Sequence, residues 1–293
     1  MIFDKLKLNN SARAEREERK RNARLEKIKA GKLKRNSKCA LCLGGGGARG
    51  FAHVGAIKAF EEAGFEFDIV VGTSVGSLVG ALYAYGISAD RMMQMGHVLD
   101  TKDVHNGNLF RPNDSAKIGK IAESIIGDIT VEQLCAKMGR RYCAVAVDLV
   151  SASQVIMDKG RVADVISASS CVPVFFKPVE TADGMHLVDG GVLNNIPADV
   201  CRMLGATDVI TVDVNPTRGQ GSDKTNPFAV FKTVFGMMSA NSSQNGIFNS
   251  DVIIAVDTSE FSSGSKEGYE EMAKRGYLEA KKMLYDVSLR LYK

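Results

Sequence analysis

The sequence predicts an α/β fold of three layers, an open and mostly parallel sheet covered by helices on both faces. Three observations carry that expectation. Short apolar runs alternate with longer helix-forming runs from residue 38 onward, and such alternation builds a parallel sheet with helical crossovers. Glycine-rich turns follow the first two apolar runs, Gly44-Gly45-Gly46-Gly47 and Gly72-Thr73-Ser74-Val75-Gly76, and each opens a helix. The length of 293 residues suits one large domain, or a domain with an appendage. The expected division is a basic, charged arm at 1–37, helical or disordered, and a folded domain at 38–293.

Taken in order, residues 39–43 read as a first buried strand and 51–63 as a helix that stops near Gly64. Residues 69–72 form a second strand and 75–85 a second helix. Stretches 88–99 and 115–126 read as helices around a polar loop. Residues 142–150 and 154–157 are strands separated by a small-residue turn, and 162–170 is a helix. A short strand at 185–188 runs into Asp189-Gly190-Gly191. A helix at 197–204 carries Pro197 in its first turn. Strands at 209–214 and 251–256 and helices at 228–240 and 266–293 complete the pattern.

Charge is unevenly placed. Residues 1–38 hold 14 Lys and Arg against 5 Asp and Glu, while the remainder holds 24 against 29. The arm has helix-favouring composition, with Glu15/Arg19 and Glu17/Arg21 at i,i+4 spacing. It has few apolar residues to bury, which fits a solvated tail. Its basic residues, with Ile2, Phe3, Leu6 and Leu8 before them, also suit a peripheral contact of residues 1–36 with an anionic membrane. No apolar run approaches a membrane span and no secretory leader is evident, so a cytoplasmic protein is expected. The six cysteines read as reduced and structural. Cys39 and Cys42 lie three apart on a strand and so on opposite faces. No metal, cofactor or nucleic-acid partner is expected.

Gly72-Thr73-Ser74-Val75-Gly76 is a G-x-S-x-G motif between a strand and a helix, the context of a nucleophile elbow. Its glycines let the chain turn sharply and leave the serine at the tip. The run Gly44 to Gly50 offers backbone N–H groups to an anion. A dinucleotide site needs an acid at the end of the second strand, and that strand ends in the elbow instead. A P-loop needs Lys-Ser/Thr after Gly50, where Phe51-Ala52 stand. Beside an exposed serine, the glycine loop suits an oxyanion formed by attack on an ester. Arg49 either braces that loop or meets a substrate phosphate. A base is also required. The one triad in Ser–acid–His order is Ser74, an acid such as Asp148, and His186. His53 reads as a packing or hydrogen-bonding residue. Asp189, before two glycines, is the stronger base, provided that burial or a short hydrogen bond to Ser74 tunes it.

These motifs, in this order, resemble the patatin-like phospholipase family, whose pattern runs G-x-G-x-x-G, G-x-S-x-G, D-G-[AG]. Further stretches are similar to bacterial members: Arg49 to Gly55, Ala168 to Pro178, and Asp189 to Pro197. The resemblance covers residue 38 to the C-terminus. It implies a Ser–Asp dyad, with Ser74 the nucleophile and Asp189 the base. It implies an oxyanion hole from Gly45, Gly46 and Gly47, with Arg49, Gly50, Gly72, Gly76, Gly190 and Gly191 as motif support. The implied activity is a serine lipid acyl hydrolase of phospholipase A, lysophospholipase or esterase type, acting through an acyl-serine on a lipid or acyl ester. The alternatives are an acyltransferase using acyl-CoA or acyl-carrier donors and a non-catalytic lipid-binding protein. Met92, Met93, Met95, Phe228, Phe231, Phe235 and Met238 recur at helical spacing, which core packing explains before an acyl channel does.

Overall fold

Strands form where β-branched and small apolar residues let both faces of the sheet be buried, and helices return the chain between them. The computed structural model describes residues 2–97, 114–215 and 226–292. In chain order the elements are α1 (Ile2–Lys29), β1 (Cys39–Leu43), α2 (Phe51–Glu62), β2 (Ile69–Thr73), α3 (Val75–Tyr85), α4 (Ala89–Gln94), α5 (Ala116–Ile126) and α6 (Val131–Met138). There follow β3 (Arg141–Asp148), β4 (Ser153–Met157), α7 (Val162–Ser169), β5 (Val179–Glu180), β6 (His186–Asp189), α8 (Ala198–Met203), β7 (Asp208–Asp213), α9 (Pro227–Asn249), β8 (Val252–Ala255) and α10 (Tyr269–Leu291).

The sheet order is β5-β6-β3-β2-β1-β7-β8, with β4 also paired to β3. The β3-β2-β1-β7-β8 pairings are parallel, and β4, β5 and β6 are antiparallel additions. The chain leaves β1 towards β2 on one side and returns to β7 on the other. The carboxyl ends of β1 and β7 therefore flank a topological switch point, where open α/β sheets bind ligands, and the end of β2 lies next to it.

Alternation along the strands assigns the two cores. Cys39, Leu41 and Leu43 of β1 face one hydrophobic cluster with α2, α3 and α10. Ala40 and Cys42 face the other, with Ile196, Val200 and Cys201. The two cysteines of C-x-x-C thus sit on opposite faces, as their spacing requires. On the first face α2 and α10 pack in near backbone contact. A Cβ on Gly55 would lie 1.8 Å from the Ala273 carbonyl oxygen, and one on Gly276 1.9 Å from that of Ala52.

Several expectations need adjustment. The solvated tail does not extend to residue 37. Along α1, residues 13–23 are exposed, but Ile28 is buried in the core and Leu25 packs against it. Arg24 donates to the Ser288 hydroxyl and to the carbonyls of Ser288 and Tyr292. Helix α6 was not expected, although Thr130 and Gln133 close a capping box at its start. Helix α9 runs nine residues beyond the expected end at 240. The methionine and phenylalanine positions divide: Met92 is buried, but Met238 is exposed. The expected helix at 88–99 and its polar loop fall partly outside the described residues, as does the Phe228 side chain.

Candidate active site

The elbow is a steric construction. A Cβ on Gly72 would stand 2.3 Å from the Gly76 backbone, and one on Gly76 2.2 Å from the Leu43 carbonyl oxygen. Only glycines allow β2 to fold back into α3 at this distance. Ser74 between them is held at φ 53°, ψ −126°, a conformation that costs a non-glycine residue about 1–3 kcal/mol. Its surroundings hold it there. The Ser74 N–H donates to Ser169 Oγ at 3.0 Å, and Ser169 Oγ donates to the Val145 carbonyl at 2.7 Å. The Ser74 carbonyl accepts from Ser77 Oγ at 2.6 Å.

Strand pairing brings Asp189 to this point. Thr73, the last residue of β2, pairs with Val145 of β3. Ala146, the next residue of β3, pairs with Asp189 at the end of β6. Strand β4 occupies the opposite edge of β3 over the same residues. β6 therefore takes the place that β2 vacates when it turns at Ser74. Gly190 makes the junction close: a Cβ there would meet the Val145 oxygen at 2.3 Å and Thr73 Cγ2 at 3.1 Å.

The Asp189 carboxylate is buried and half satisfied. Oδ1 accepts from the Gly191 N–H at 2.7 Å. Oδ2 is the one buried carboxylate oxygen among the described residues without a formed hydrogen bond. Burial pushes the Asp189 pKa up to about 6; the neighbouring Ser74 hydroxyl and the Gly191 N–H offset part of that rise. The carboxylate thus faces Ser74 but is not yet hydrogen-bonded to it in ordinary geometry, and it titrates near neutrality.

A patatin-like phospholipase model matches residues 41–202, a stretch that contains the glycine loop, the elbow and Asp189. The chain belongs to the patatin-like phospholipase family. It is 36% identical over 184 residues to patatin-like phospholipase domain-containing protein 6 of Homo sapiens, covering 60% of this chain and 13% of that protein. It is 33% identical over 183 residues to neuropathy target esterase sws of Drosophila melanogaster, covering 59% of this chain and 13% of that protein. The chain therefore matches about an eighth of the length of these relatives. Among solved structures, VipD from Legionella pneumophila has the same fold, with a TM-score of 0.59 and 15% identity over 87% of this chain and 70% of that one.

In this patatin-like site the glycine loop offers two open donors. The Gly45 N–H donates to the Asn195 carbonyl at 3.1 Å, which removes it from the expected set of three. The N–H groups of Gly46 and Gly47 make no hydrogen bond among the described residues. Gly45 borders the serine: a Cβ on it would lie 3.4 Å from Ser74 Cβ. Arg49 braces the loop, donating to the Phe261 carbonyl at 3.0 and 2.9 Å and to Asn215 Oδ1. Of its two expected roles, bracing is the one these bonds show. Gly50 is required by Val75, whose Cγ2 would be 2.3 Å from a Cβ there.

The histidines take other work. His53 is buried, and its Nε2 bonds to the Gly44 carbonyl at 2.7 Å. Burial pulls its pKa down to about 4. It is a neutral prop beneath the glycine loop. Asp148 is spent on the β3–β4 turn, accepting from the Ser151 hydroxyl and from the backbone of Val150, Ser151 and His186. Those bonds, the Ser151 hydroxyl first, hold its carboxyl well below the usual range. His186 opens β6 opposite Glu180. The Ser74–Asp148–His186 triad is not assembled.

Three positions that support the site were not singled out from the sequence. Ser169 ties the elbow to β3, as above. Asn194 and Asn195 strap the three motifs together. The Asn194 N–H donates to Gly190 O at 2.8 Å and its carbonyl accepts from Thr73 Oγ1 at 2.9 Å. Asn195 Nδ2 donates to Ser243 Oγ at 3.2 Å. That bond turns Asn195 Oδ1 towards Gly45 and Gly191, 2.4 and 3.2 Å from where their Cβ atoms would be. Among the described residues, no group of His, Cys, Asp and Glu is arranged to hold a metal ion.

Proposed function

We propose that the protein is a lipid acyl hydrolase in which Ser74 attacks the ester carbonyl and Asp189 serves as the base. The observation that carries this is the buried, unpartnered Oδ2 of Asp189 beside a serine held on a strained elbow. A carboxylate with a pKa near 6 is ionised at neutral pH, yet it holds a proton far better than an ordinary aspartate. Ser74 Oγ forms a bond to the carbonyl carbon while its proton passes to Asp189 Oδ2. The oxyanion of the tetrahedral intermediate accepts from the Gly46 and Gly47 N–H groups, which carry no other hydrogen bond. Collapse breaks the ester C–O bond, and Asp189 returns the proton to the departing alkoxide. The acyl group is left on Ser74. Water then gives a proton to Asp189 as it attacks the acyl-serine; collapse breaks the acyl–Oγ bond, Asp189 returns the proton to Ser74 Oγ, and the fatty acid leaves. Family membership supports a lipid acyl ester as the substrate, with phospholipid and lysophospholipid the first candidates.

The test is fatty acid release from a panel of diacyl phospholipid, lysophospholipid and triacylglycerol. At least one class is cleaved by the unaltered protein and by neither Ser74→Ala nor Asp189→Asn. Release that persists in Ser74→Ala rejects the proposal.

A further inference from the structure

Helix α9 changes character along its length. Its second half packs along one side, where Ser239 and Ser243 are buried, Ser242 Oγ donates to Gly191 O at 3.0 Å and a Cβ on Gly246 would meet Ile196 O at 1.9 Å, while Phe248 on the other side is 89% exposed. Its first half projects. Val230, Val234, Met237 and Met238 are 41%, 45%, 62% and 40% exposed. Their i, i+4, i+7, i+8 spacing places all four on one face of the helix, so among the described residues this half presents an apolar stripe that nothing covers. A soluble surface does not ordinarily present such a cluster, and one rimmed by polar groups marks a contact with a membrane or partner.

Two neighbouring loops add to it. Phe231 of α9 meets Phe175 with ring centroids 6.0 Å apart. Beside Phe175, exposed Val174 is held at φ 70°, which a β-branched residue adopts only under strain. Leu193, 45% exposed, follows the Gly190–Val192 turn on which α9 packs. The surface thus borders the Ser74–Asp189 site.

Charge identifies the occupant. The domain carries more acidic than basic residues. Yet residues 170–178, 190–197 and 226–249 hold no Asp or Glu, and their only charged residues are Lys177 and Lys232, both exposed. An apolar surface with lysines and no carboxylates complements the acyl region and phosphates of an anionic bilayer. A second copy of this chain would bring only the same two lysines.

We infer that the first half of α9, with Val174 and Leu193, is a docking surface for an anionic phospholipid bilayer, set at the mouth of the Ser74 site. Delivery of lipid to Ser74 rests on the acyl hydrolase proposal; the docking does not. The experiment is co-sedimentation of full-length Ser74→Ala protein with vesicles of phosphatidylglycerol and phosphatidylcholine in equal parts. The inactive background separates binding from turnover. Adding Val234→Glu and Met237→Glu is expected to lower the bound fraction roughly tenfold or more. Met237→Gln gives a smaller loss, and Leu289→Glu, an exposed leucine on α10, gives none. Unchanged far-ultraviolet circular dichroism shows that each variant is folded. Equal binding by the double variant overturns the inference. So does a loss confined to Arg13→Glu, Arg16→Glu and Arg19→Glu on α1, or light scattering that finds a dimer broken by Met237→Glu. Docking lost as expected, with no lipid class cleaved by the active protein, upholds the surface and rejects the hydrolase. Cleavage without α9-dependent docking does the reverse.

Discussion

The α2–α10 seam and the β2–β6 edge use the same device for different ends. In both, glycines let backbones approach where a Cβ has no room: Gly55 and Gly276 at the seam, Gly72, Gly76 and Gly190 at the edge. At the seam the approach serves packing, and both elements keep ordinary helical geometry. At the edge it holds Ser74 at positive φ and leaves a buried carboxylate oxygen without a partner. Departures from local rules are expected where a fold carries chemistry. The seam supplies rigidity, and the edge stores strain and an unspent acceptor.

Breaking the seam has the largest expected effect. Gly276→Val drives a side chain into the Ala52 carbonyl, and its cost meets or exceeds the roughly 3 kcal/mol upper range of core overpacking. Urea denaturation should show a large fall in midpoint, or no folded protein.

At the edge, the burial of Asp189 sets a pH-dependent stability. Its folded pKa is raised, so the native state binds the proton more tightly than the unfolded chain between pH about 4 and about 6. The native state therefore loses stability as pH rises through that window. By pH 8 the loss is of the order of 3 kcal/mol. Asp189→Asn keeps the acceptor for Gly191 and removes the charge. Its denaturation midpoint should exceed that of the unaltered protein at pH 8 and match it near pH 4. The reverse order would mean that the carboxylate is stabilised where it sits.

Asn195→Ala sharpens the comparison, because it loosens the edge and leaves the seam alone. It removes the bond to Ser243 and the contact of Oδ1 with Gly45 and Gly191. The expected cost is about 1 kcal/mol of stability. The larger effect falls on kcat, by about tenfold to a hundredfold with KM little changed, because reacting groups are displaced. A rise in KM with kcat unchanged would reduce Asn195 to a binding contact.

The smallest effect is a gain. Ser74→Gly relieves the positive φ, and after the greater flexibility of unfolded glycine about 1 kcal/mol remains. The melting temperature should rise by about 2 °C while hydrolysis is lost. A fall would place the strain elsewhere.

What the sequence revealed follows from how local each cause is. The elbow was legible because its strand–turn–helix pattern is local: Gly72 meets Gly76 and Ser77 within five residues, although Gly76 meets Leu43 on the neighbouring strand. The opposite faces of Cys39 and Cys42 follow from strand periodicity alone. The capping box at Thr130 and Gln133 was equally local and could have disclosed α6. The meeting of Asp189 with Ser74 was not local. It depends on β6 pairing with the stretch of β3 that β2 leaves free, so the residues offered Asp189 as a candidate base and only the resemblance paired it with Ser74. Ser169 and Asn195 act through bonds to residues dozens of positions away. A lone serine or asparagine in a loop gives no periodic signal of that. Helix α9 was legible as apolar, but which of its residues stay exposed was not, because that depends on its packing against Gly191 and Ile196, about fifty residues away.

The Ser74–Asp189 pairing is tested most directly by the rate at which a fluorophosphonate adds to the protein, followed by intact mass as a function of pH. The adduct should form on Ser74, at a rate that rises through pH about 6 to a plateau as Asp189 ionises. In Asp189→Asn the rate should be about a hundredfold lower or less and show no such rise. An adduct on another residue, or an Asp189→Asn protein labelled as fast as the unaltered one, would contradict it.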